Sequence, residues 1–471
     1  MKSHLVFLSL ATFAPFLPVH AAPAVPDPVQ EAIVGDALLN NNGYRLLETM
    51  TTRHGARLTG TEGNLRSMDL LESELQKLGI ATRRETYTIP GWNRLEDSVF
   101  LVSPVARELR AAALGYVDRN EAVEAGLAYL ASGDVDAIEA GSLQDRIALV
   151  APNISFTHDE YQRLAEEHGA LGVLLINRVN GGQLLARVAN HDGLPPPFPI
   201  FSITVEEGRW MQRQLDEGMD VRVRLEARSE TAELEVDNLV AVLPGTSDRK
   251  VVVGGHFDSW DLGQGAMDNG LGVAQLFDTA RILQAHSPNN AHTVEIVWFN
   301  AEEWGLWGSI DYANRHDPET IRVMLNLDMV GEPIAVNAMG FDELVPVLEA
   351  FSESLGAWEF QQKVANKTWL GSDHHPFILK GVPAITFNAP IAPEDVRFYH
   401  DFGDTFDKVD PGMLGRATAL VALLTHDLAN DTTSGLRRYD ESETAELFRK
   451  AGLEDRLRKA GKWPFAEDQD G

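Results

Sequence analysis

The sequence predicts an α/β protein in which helices cover both faces of a mostly parallel sheet, with a β-rich segment inserted into the chain. From residue 238 onward, short apolar runs typical of buried strands alternate with longer helical patterns, an alternation typical of a parallel sheet between helices. Between residues 103 and 235 the pattern changes to short strands with few helices. The length of 471 residues accommodates two or three domains.

The N-terminus has the layout of a secretory signal peptide, which we place at residues 1–21. Lys2 precedes an apolar run from Leu5 to Val19, and Ala21 is a small residue at a suitable cleavage point. The run is shorter than the roughly 20 residues of a membrane-spanning helix, and two prolines interrupt it. We expect the protein to be exported to the periplasm or the extracellular medium.

The main predicted domain consists of residues 27–102 and 236–435. Apolar positions from Met68 to Leu78 recur at helical spacing, with Thr61 or Asn64 as the N-cap of that helix. Strands are predicted at Ile80–Ile89, Leu239–Leu243, Val251–Gly255, Thr293–Asn300, Arg322–Asp328 and Ala384–Phe387, and helices at Gly270–His286 and Gly412–Leu428.

The inserted segment is predicted to span residues 103–235. Its strands are predicted at Ile147–Val150, Val173–Ile176 and Val221–Leu225, and its helices at Asp159–His168 and Glu206–Leu215. This segment gathers no cluster of His, Asp and Glu, so we place no chemistry in it. Residues 436–471 form a charged, weakly amphipathic C-terminal extension to which the sequence assigns no role.

The composition excludes several classes of function. Lys and Arg number 40 and Asp and Glu number 70, so the formal net charge is −30. Nucleic acids and anionic lipids attract clustered basic residues, and we therefore expect neither nucleic acid nor a membrane as a partner. Cysteine is absent from the chain, which excludes disulfides, thiolate nucleophiles and cysteine-ligated zinc.

Polar residues follow the predicted strands of the main domain, where an open α/β sheet forms its sites. They are His256, Asp258, Asp268, Glu302, Glu303, Asp328 and His400. Carboxylates crowded at one edge of a sheet repel one another unless cations lie between them. Imidazole and carboxylate without sulfur suit zinc or a similar divalent ion, and two histidines with three carboxylates suit two ions that share a bridging carboxylate.

Two further roles follow from the positions of neighbouring residues. Asp258 lies two residues after His256 on an extended chain, so it shares the face of His256 and is placed to accept the second imidazole N–H. Glu302 adjoins Glu303 and points elsewhere, which leaves Glu302 free to act as a general base on water.

These segments resemble the co-catalytic two-zinc exopeptidases, a family of aminopeptidases and carboxypeptidases, and are most similar to its carboxypeptidase Q branch. The resemblance rests on Gly255–Gly270, Ala301–Glu303, Leu327–Asp328 and Tyr399–His400. It implies a phosphorylase/hydrolase-like fold for the main domain, which is then the catalytic domain. Residues 169–177 and 199–203 resemble a protease-associated domain, which implies that fold for the insert.

The resemblance also implies a role for each residue. Asp268 would bridge two zinc ions, with a cis peptide bond following it. His256 and Asp328 would complete the ligands of one ion, and Glu303 and His400 those of the other. Glu302 would be the general base and Asp258 the partner of His256. Residues 371–377 are more similar to the bacterial aminopeptidase branch, and substrate contacts are expected from Ser372, Asp373, His374 and Tyr399.

The leading hypothesis is an exported metallo-exopeptidase with two zinc ions that hydrolyses dipeptides or releases amino acids from the N-terminus of peptides. One alternative is a zinc amidohydrolase acting on acylated amino acids, because the same attack by water cleaves any amide. The other is a catalytically silent, receptor-like ectodomain. A homodimer is compatible with the sequence, although no motif indicates one.

Overall fold

The computed structural model describes residues 27–118 and 122–466, and the predicted signal peptide lies outside this range. The strands of the described residues are β1 Ala81–Ser103, β2 Arg107–Leu109, β3 Ala111–Ala113, β4 Val123–Leu130, β5 Arg146–Val150, β6 Ala170–Ile176, β7 Ile200–Ile203, β8 Arg222–Leu243, β9 Gly245–His256, β10 Asn290–Phe299, β11 Ile321–Asn326, β12 Ala335–Asn337 and β13 Ala384–Asn388. The helices are α1 Pro28–Asn40, α2 Asn42–Thr49, α3 Glu62–Lys77, α4 His158–Glu166, α5 Val205–Asp216, α6 Gly270–His286, α7 Trp307–Arg315, α8 Leu344–Ser354, α9 His375–Leu379, α10 Pro393–Val396, α11 Pro411–Asn430, α12 Glu441–Lys450 and α13 Glu454–Lys459. Among these described residues, no helix is long and apolar enough to cross a membrane.

The main domain has the mostly parallel sheet that the sequence predicts. Strands β10, β9, β11 and β13 are parallel neighbours in that order, with β8 antiparallel at one side and β12 antiparallel at the other. Val251 and Val253 of β9 pack in a core shared with α6 and α11, whereas Val252 packs with Tyr312 of α7 and Phe377 of α9. Helices therefore cover both faces, and the predicted fold class is confirmed.

A long antiparallel ribbon of β1 and β8 joins the main domain to the insert. The two strands pair from Ala81 with Val242 at one end to Ser103 with Arg222 at the other. The sequence predicts a short strand at Ile80–Ile89 and two separate strands within β8, and these predictions of strand length are wrong. Residues 230–233 of β8 are exposed, so the middle of this strand has no buried face to produce a hydrophobic pattern.

The insert has a hydrophobic core of its own. Strands β4, β5, β6 and β7 are parallel neighbours that continue the sheet beyond β8, and β3 is antiparallel to β7. The core includes Tyr161 of α4 and Met211 of α5, and it reaches Val99 on the ribbon. The identification of this segment as a protease-associated domain stays a prediction.

The C-terminal extension packs into the core of the main domain. Leu447 and Phe448 of α12, Leu457 of α13 and Phe465 are buried in the same cluster as the parallel strands. The weak amphipathic pattern of this segment is therefore the apolar face of two short helices that cover the main domain.

We expect Leu457→Ala to lower the free energy of unfolding by about 2–5 kcal/mol, because it removes a buried side chain and leaves a cavity. Leu457 is 3% exposed. Leu39→Ala is the matched control, since Leu39 is 82% exposed, and it should change stability by no more than about 0.5 kcal/mol. Urea unfolding of both variants measures the difference, and equal stabilities would show that the extension does not support the core.

Candidate metal centre

The fold brings the five predicted metal ligands together at the carboxyl ends of the parallel strands. His256 ends β9, and Asp268 lies in the loop that leads into α6. Glu303 follows β10, Asp328 follows β11, and His400 lies in the loop before α11. Their convergence explains why each of these polar residues follows an apolar strand in the sequence.

Asp268 lies between the two histidines. Its Oδ1 is 3.1 Å from Nε2 of His256, and its Oδ2 is 3.0 Å from Nε2 of His400. Nε2 of His400 is also 3.0 Å from Oε2 of Glu303, and Nε2 of His256 is 3.5 Å from Oδ1 of Asp328. The residues thus form two groups that share the carboxylate of Asp268. The peptide bond from Asp268 to Asn269 is cis, as the family resemblance implies.

The donor set fits divalent cations. Ligand atoms of His256, Asp268 and Glu303 all lie within 4.8 Å of one another, and all three residues are buried. Oε1 of Glu303 and Nε2 of His400 are buried without a hydrogen-bond partner among the described residues, although carboxylates lie 3.0 Å from the imidazole nitrogen. Buried polar atoms without partners are costly, and coordination of a cation would satisfy both.

The charges of the centre are strongly coupled. Burial, together with the charge of Asp268, raises the pKa of Glu303 to about 7. Burial alone would lower the pKa of His400, but Glu303 and Asp268 outweigh it and raise that pKa to about 10. Positive charge is therefore strongly favoured among these carboxylates, which is the electrostatic requirement for a bound cation.

Asp258 has a different set of contacts from the predicted one. Nδ1 of His256 lies 3.2 Å from the backbone oxygen of Asp258 and 3.7 Å from its carboxylate Oδ1. The carboxylate instead accepts the backbone N–H groups of Glu302 at 3.1 Å and of Glu303 at 3.3 Å, and the Thr59 hydroxyl at 3.2 Å. Asp258 thus orients His256 through its backbone and holds the Glu302–Glu303 turn through its side chain.

Glu302 is half-buried beside the centre. Burial raises its pKa well above the usual range; the charge of His256 opposes this shift, and that of Asp373 reinforces it. Tyr399 stacks on the ring of His400, with centroids 3.7 Å apart and an interplanar angle of 21°.

The other residues of the predicted substrate site, Ser372, Asp373 and His374, are fully buried. The Ser372 hydroxyl accepts Nδ2–H of Asn326 at 2.8 Å, and Nε2 of His374 lies 3.0 Å from the backbone oxygen of Trp369. A substrate contact from these three side chains stays a prediction.

Sequence reasoning missed two residues that support the centre. The carboxylate of Asp404 accepts the backbone N–H groups of Met267 at 2.7 Å and of Asp268 at 3.1 Å. The guanidinium of Arg57 is fully buried and, within the described ranges, donates to backbone oxygens alone. Burial lowers the pKa of Arg57 to about 10, although Asp404 opposes the shift. The position of Asp404 in the loop of His400 was the one available signal, and nothing local marks Arg57.

Residues 238–425 match the family model described as peptidase family M28. The chain contains a peptidase family M28 domain. The M28 segment includes all five residues of the centre, and the family resemblance of the sequence is confirmed.

Known proteins are similar to this chain along most of its length. Human carboxypeptidase Q is 24% identical over 416 residues, which cover 85% of this chain and 87% of that protein. The structure of a peptidase M28 precursor from Shewanella amazonensis SB2B is similar with a TM-score of 0.77 at 26% identity, covering 88% of this chain and 98% of that one. BSAP, described as a zinc aminopeptidase from Bacillus subtilis, is similar in fold, with a TM-score of 0.66, 21% identity, and coverage of 84% and 97%.

We expect removal of bound metal by a chelator to lower the thermal unfolding midpoint, because the buried carboxylates then lack the cations that offset their repulsion. A ligand at 100 times its Kd stabilises the native state by about 2.7 kcal/mol. Calorimetry before and after chelation measures the change. Added Zn²⁺ should restore the midpoint, whereas Mg²⁺, which prefers oxygen ligands, should not. An unchanged midpoint after complete chelation would contradict a metal centre.

Proposed function

We propose that the protein is an exported zinc metallo-exopeptidase that hydrolyses dipeptides or releases amino acids from the N-terminus of peptides. The observation that carries the proposal is Asp268, whose two carboxylate oxygens each face a different histidine. A carboxylate in this position suits two ions that share one ligand. The M28 domain supports a peptide substrate, and the names of carboxypeptidase Q and of the zinc aminopeptidase BSAP support zinc and exopeptidase action.

The ligands would divide between two zinc ions along the two groups of the centre. His256 and Asp328 would hold one ion, Glu303 and His400 the other, and Asp268 both. When bound, zinc supplies Lewis acidity, which makes water nucleophilic near neutral pH and stabilises negative charge on the scissile carbonyl.

The remaining steps belong to side chains around the ligands. Glu302 takes a proton from the attacking water and passes it to the leaving amine. Asp258 supports this step because its carboxylate accepts the backbone N–H of Glu302 at 3.1 Å and so fixes the turn that carries the base. Tyr399, stacked on His400, contacts the substrate beside the ligands.

Two alternatives from the sequence are separated by specific features. A receptor-like, catalytically silent ectodomain does not need five converging ligands, three of them buried, and an adjacent half-buried glutamate, and their presence disfavours it. A zinc amidohydrolase would use the same ligands and base, so only the substrate distinguishes it from an exopeptidase. Export rests on the signal-peptide pattern at residues 1–21.

We expect Glu302→Gln to lower kcat by at least about 100-fold, because general acid–base catalysis typically contributes 10²–10⁴-fold. Zinc content should stay at the wild-type value, since Glu302 is not among the ligands. Glu349→Gln, an exposed position on α8, is the matched control and should retain full activity. Turnover within tenfold of wild type with both metals bound would contradict the role of Glu302 as base.

The substrate class can be tested with aminoacyl anilides, free dipeptides and N-acylated dipeptides. We expect hydrolysis of the first two and little of the third, because an exopeptidase of this kind acts on substrates with a free amino terminus. Preference for the N-acylated substrates would indicate the amidohydrolase instead. A chain without zinc and without activity on any of them would indicate the silent ectodomain.

A further inference from the structure

The two histidines of the candidate metal centre are oriented by different parts of the chain. Nδ1 of His256 lies 3.2 Å from the backbone oxygen of Asp258, two residues further along the same segment. Nδ1 of His400 lies 2.7 Å from the backbone oxygen of Ala186, which belongs to the insert and is 214 residues away. The first contact is local, whereas the second exists only when the insert is docked on the main domain.

The contact with Ala186 determines which nitrogen of His400 is available to a metal. A carbonyl oxygen can only accept a hydrogen bond, so Nδ1 of His400 must carry the proton. Nε2 is then the nitrogen left for a metal, and it faces Asp268 and Glu303 at 3.0 Å. The backbone is held as well, because the N–H of Ala186 donates to the backbone oxygen of His400 at 3.0 Å. His400 has a φ of 56°, a left-handed conformation that non-glycine residues adopt only when their surroundings hold them there.

Asp401 fastens the same loop to the insert. Its side chain is 3% exposed, and Oδ2 accepts the backbone N–H of Leu184 at 2.6 Å. Oδ1 accepts the N–H of Gly403 at 3.0 Å and closes the turn after His400. Arg110 of the insert lies 3.7 Å from Oδ2 and over the ring of Phe402, which adds positive charge on the insert side.

Arg397 makes a second attachment at the start of this loop. Its guanidinium donates to the backbone oxygen of Asn180 at 2.6 Å and to Oε1 of Gln183 at 2.9 Å. Residues 180–186 of the insert and residues 397–403 of the main domain therefore form one hydrogen-bonded dock beside the metal centre.

We propose that the insert, through this dock, holds His400 in the orientation that binds metal, with Asp401 as the positioning residue for His400. The inference rests on the proposed two-zinc function and deepens it. His256 is oriented locally, whereas His400 is oriented through the insert. Weakening the dock should therefore lower the affinity for the zinc ion held by Glu303 and His400. The affinity for the ion held by His256 and Asp328 should not change. Partners that orient a metal-bound histidine are typically worth 10–100-fold in metal affinity.

The test compares zinc retention by the full-length protein as wild type, Asp401→Ala, Asp401→Asn and Asp395→Ala. Asp395 lies on α10 six residues before Asp401, and Asp395→Ala is the matched control. Each protein is loaded with zinc and dialysed against chelators of increasing strength, and bound zinc per chain is measured. We expect Asp401→Ala to bind one equivalent of zinc with a 10–100-fold lower affinity and the other with wild-type affinity. Asp401→Asn keeps one acceptor oxygen, so its affinity for the weakened equivalent should lie between those of Asp401→Ala and wild type.

Zinc release alone does not show whether a variant retains its fold. The unfolding midpoints of the metal-free proteins measure this separately. If Asp401→Ala fails to fold, Arg397→Ala and Asp401→Asn weaken the same dock, and each should release one equivalent of zinc more readily than wild type and hold the other with wild-type affinity. The inference would be overturned if the dock variants held both equivalents of zinc with wild-type affinity, or if the affinity for both equivalents fell equally. Wild-type protein that binds fewer than two zinc ions would contradict the proposed function as well, so the two failures are distinguishable.

Discussion

Repulsion among closely spaced carboxylates is the constraint on which the rest of this site depends. Asp268, Glu303 and Asp328 lie within contact distance of two imidazoles. Two like charges 4 Å apart repel by about 4 kcal/mol at an effective dielectric constant of about 20. The buried guanidinium of Arg57 supplies compensating positive charge to these carboxylates, whereas Asp404, which accepts the backbone N–H groups of Met267 and Asp268, adds a further negative charge. Bound cations would remove the remaining repulsion, and metal binding would then be linked to the stability of this region.

The sequence predicted the features that depend on local pattern and missed those that depend on distant contacts. The parallel strands of the main domain are buried on both faces, so their apolar runs are continuous and each is followed by a polar residue of the centre. The middle of β8 is exposed at residues 230–233 and shows no such pattern, although this strand joins the two parts of the molecule. Arg57 was inconspicuous for a similar reason, because its hydrogen-bond partners lie about 200 residues along the chain. For Asp258, the spacing to His256 identified the neighbour but not which of its oxygens is nearer.

The contrast between the two histidines explains how an inserted segment without catalytic groups bears on the chemistry. His256 needs only its own strand end, so it is positioned once the parallel sheet has formed. His400 lies in a loop of left-handed backbone, and its ring and carbonyl both bond to Ala186 of the insert. The ribbon of β1 and β8 holds the insert at the edge of the sheet where this contact is made. The geometry of one half of the centre is therefore a property of the whole chain and not of the M28 segment alone.

The neighbouring residues Glu302 and Glu303 show how the environment separates two like side chains into two roles. Ala301 has a φ of 58°, and this turn gives the next two residues different surroundings. Glu303 is 7% exposed and faces His400, whereas Glu302 is half-buried beside the centre. The carboxylate of Asp258 accepts the N–H of both, so neither can move without the other. A turn that directs one glutamate at a ligand group and leaves the other beside it would place a base next to a bound metal, which is the arrangement that the proposed proton transfer requires.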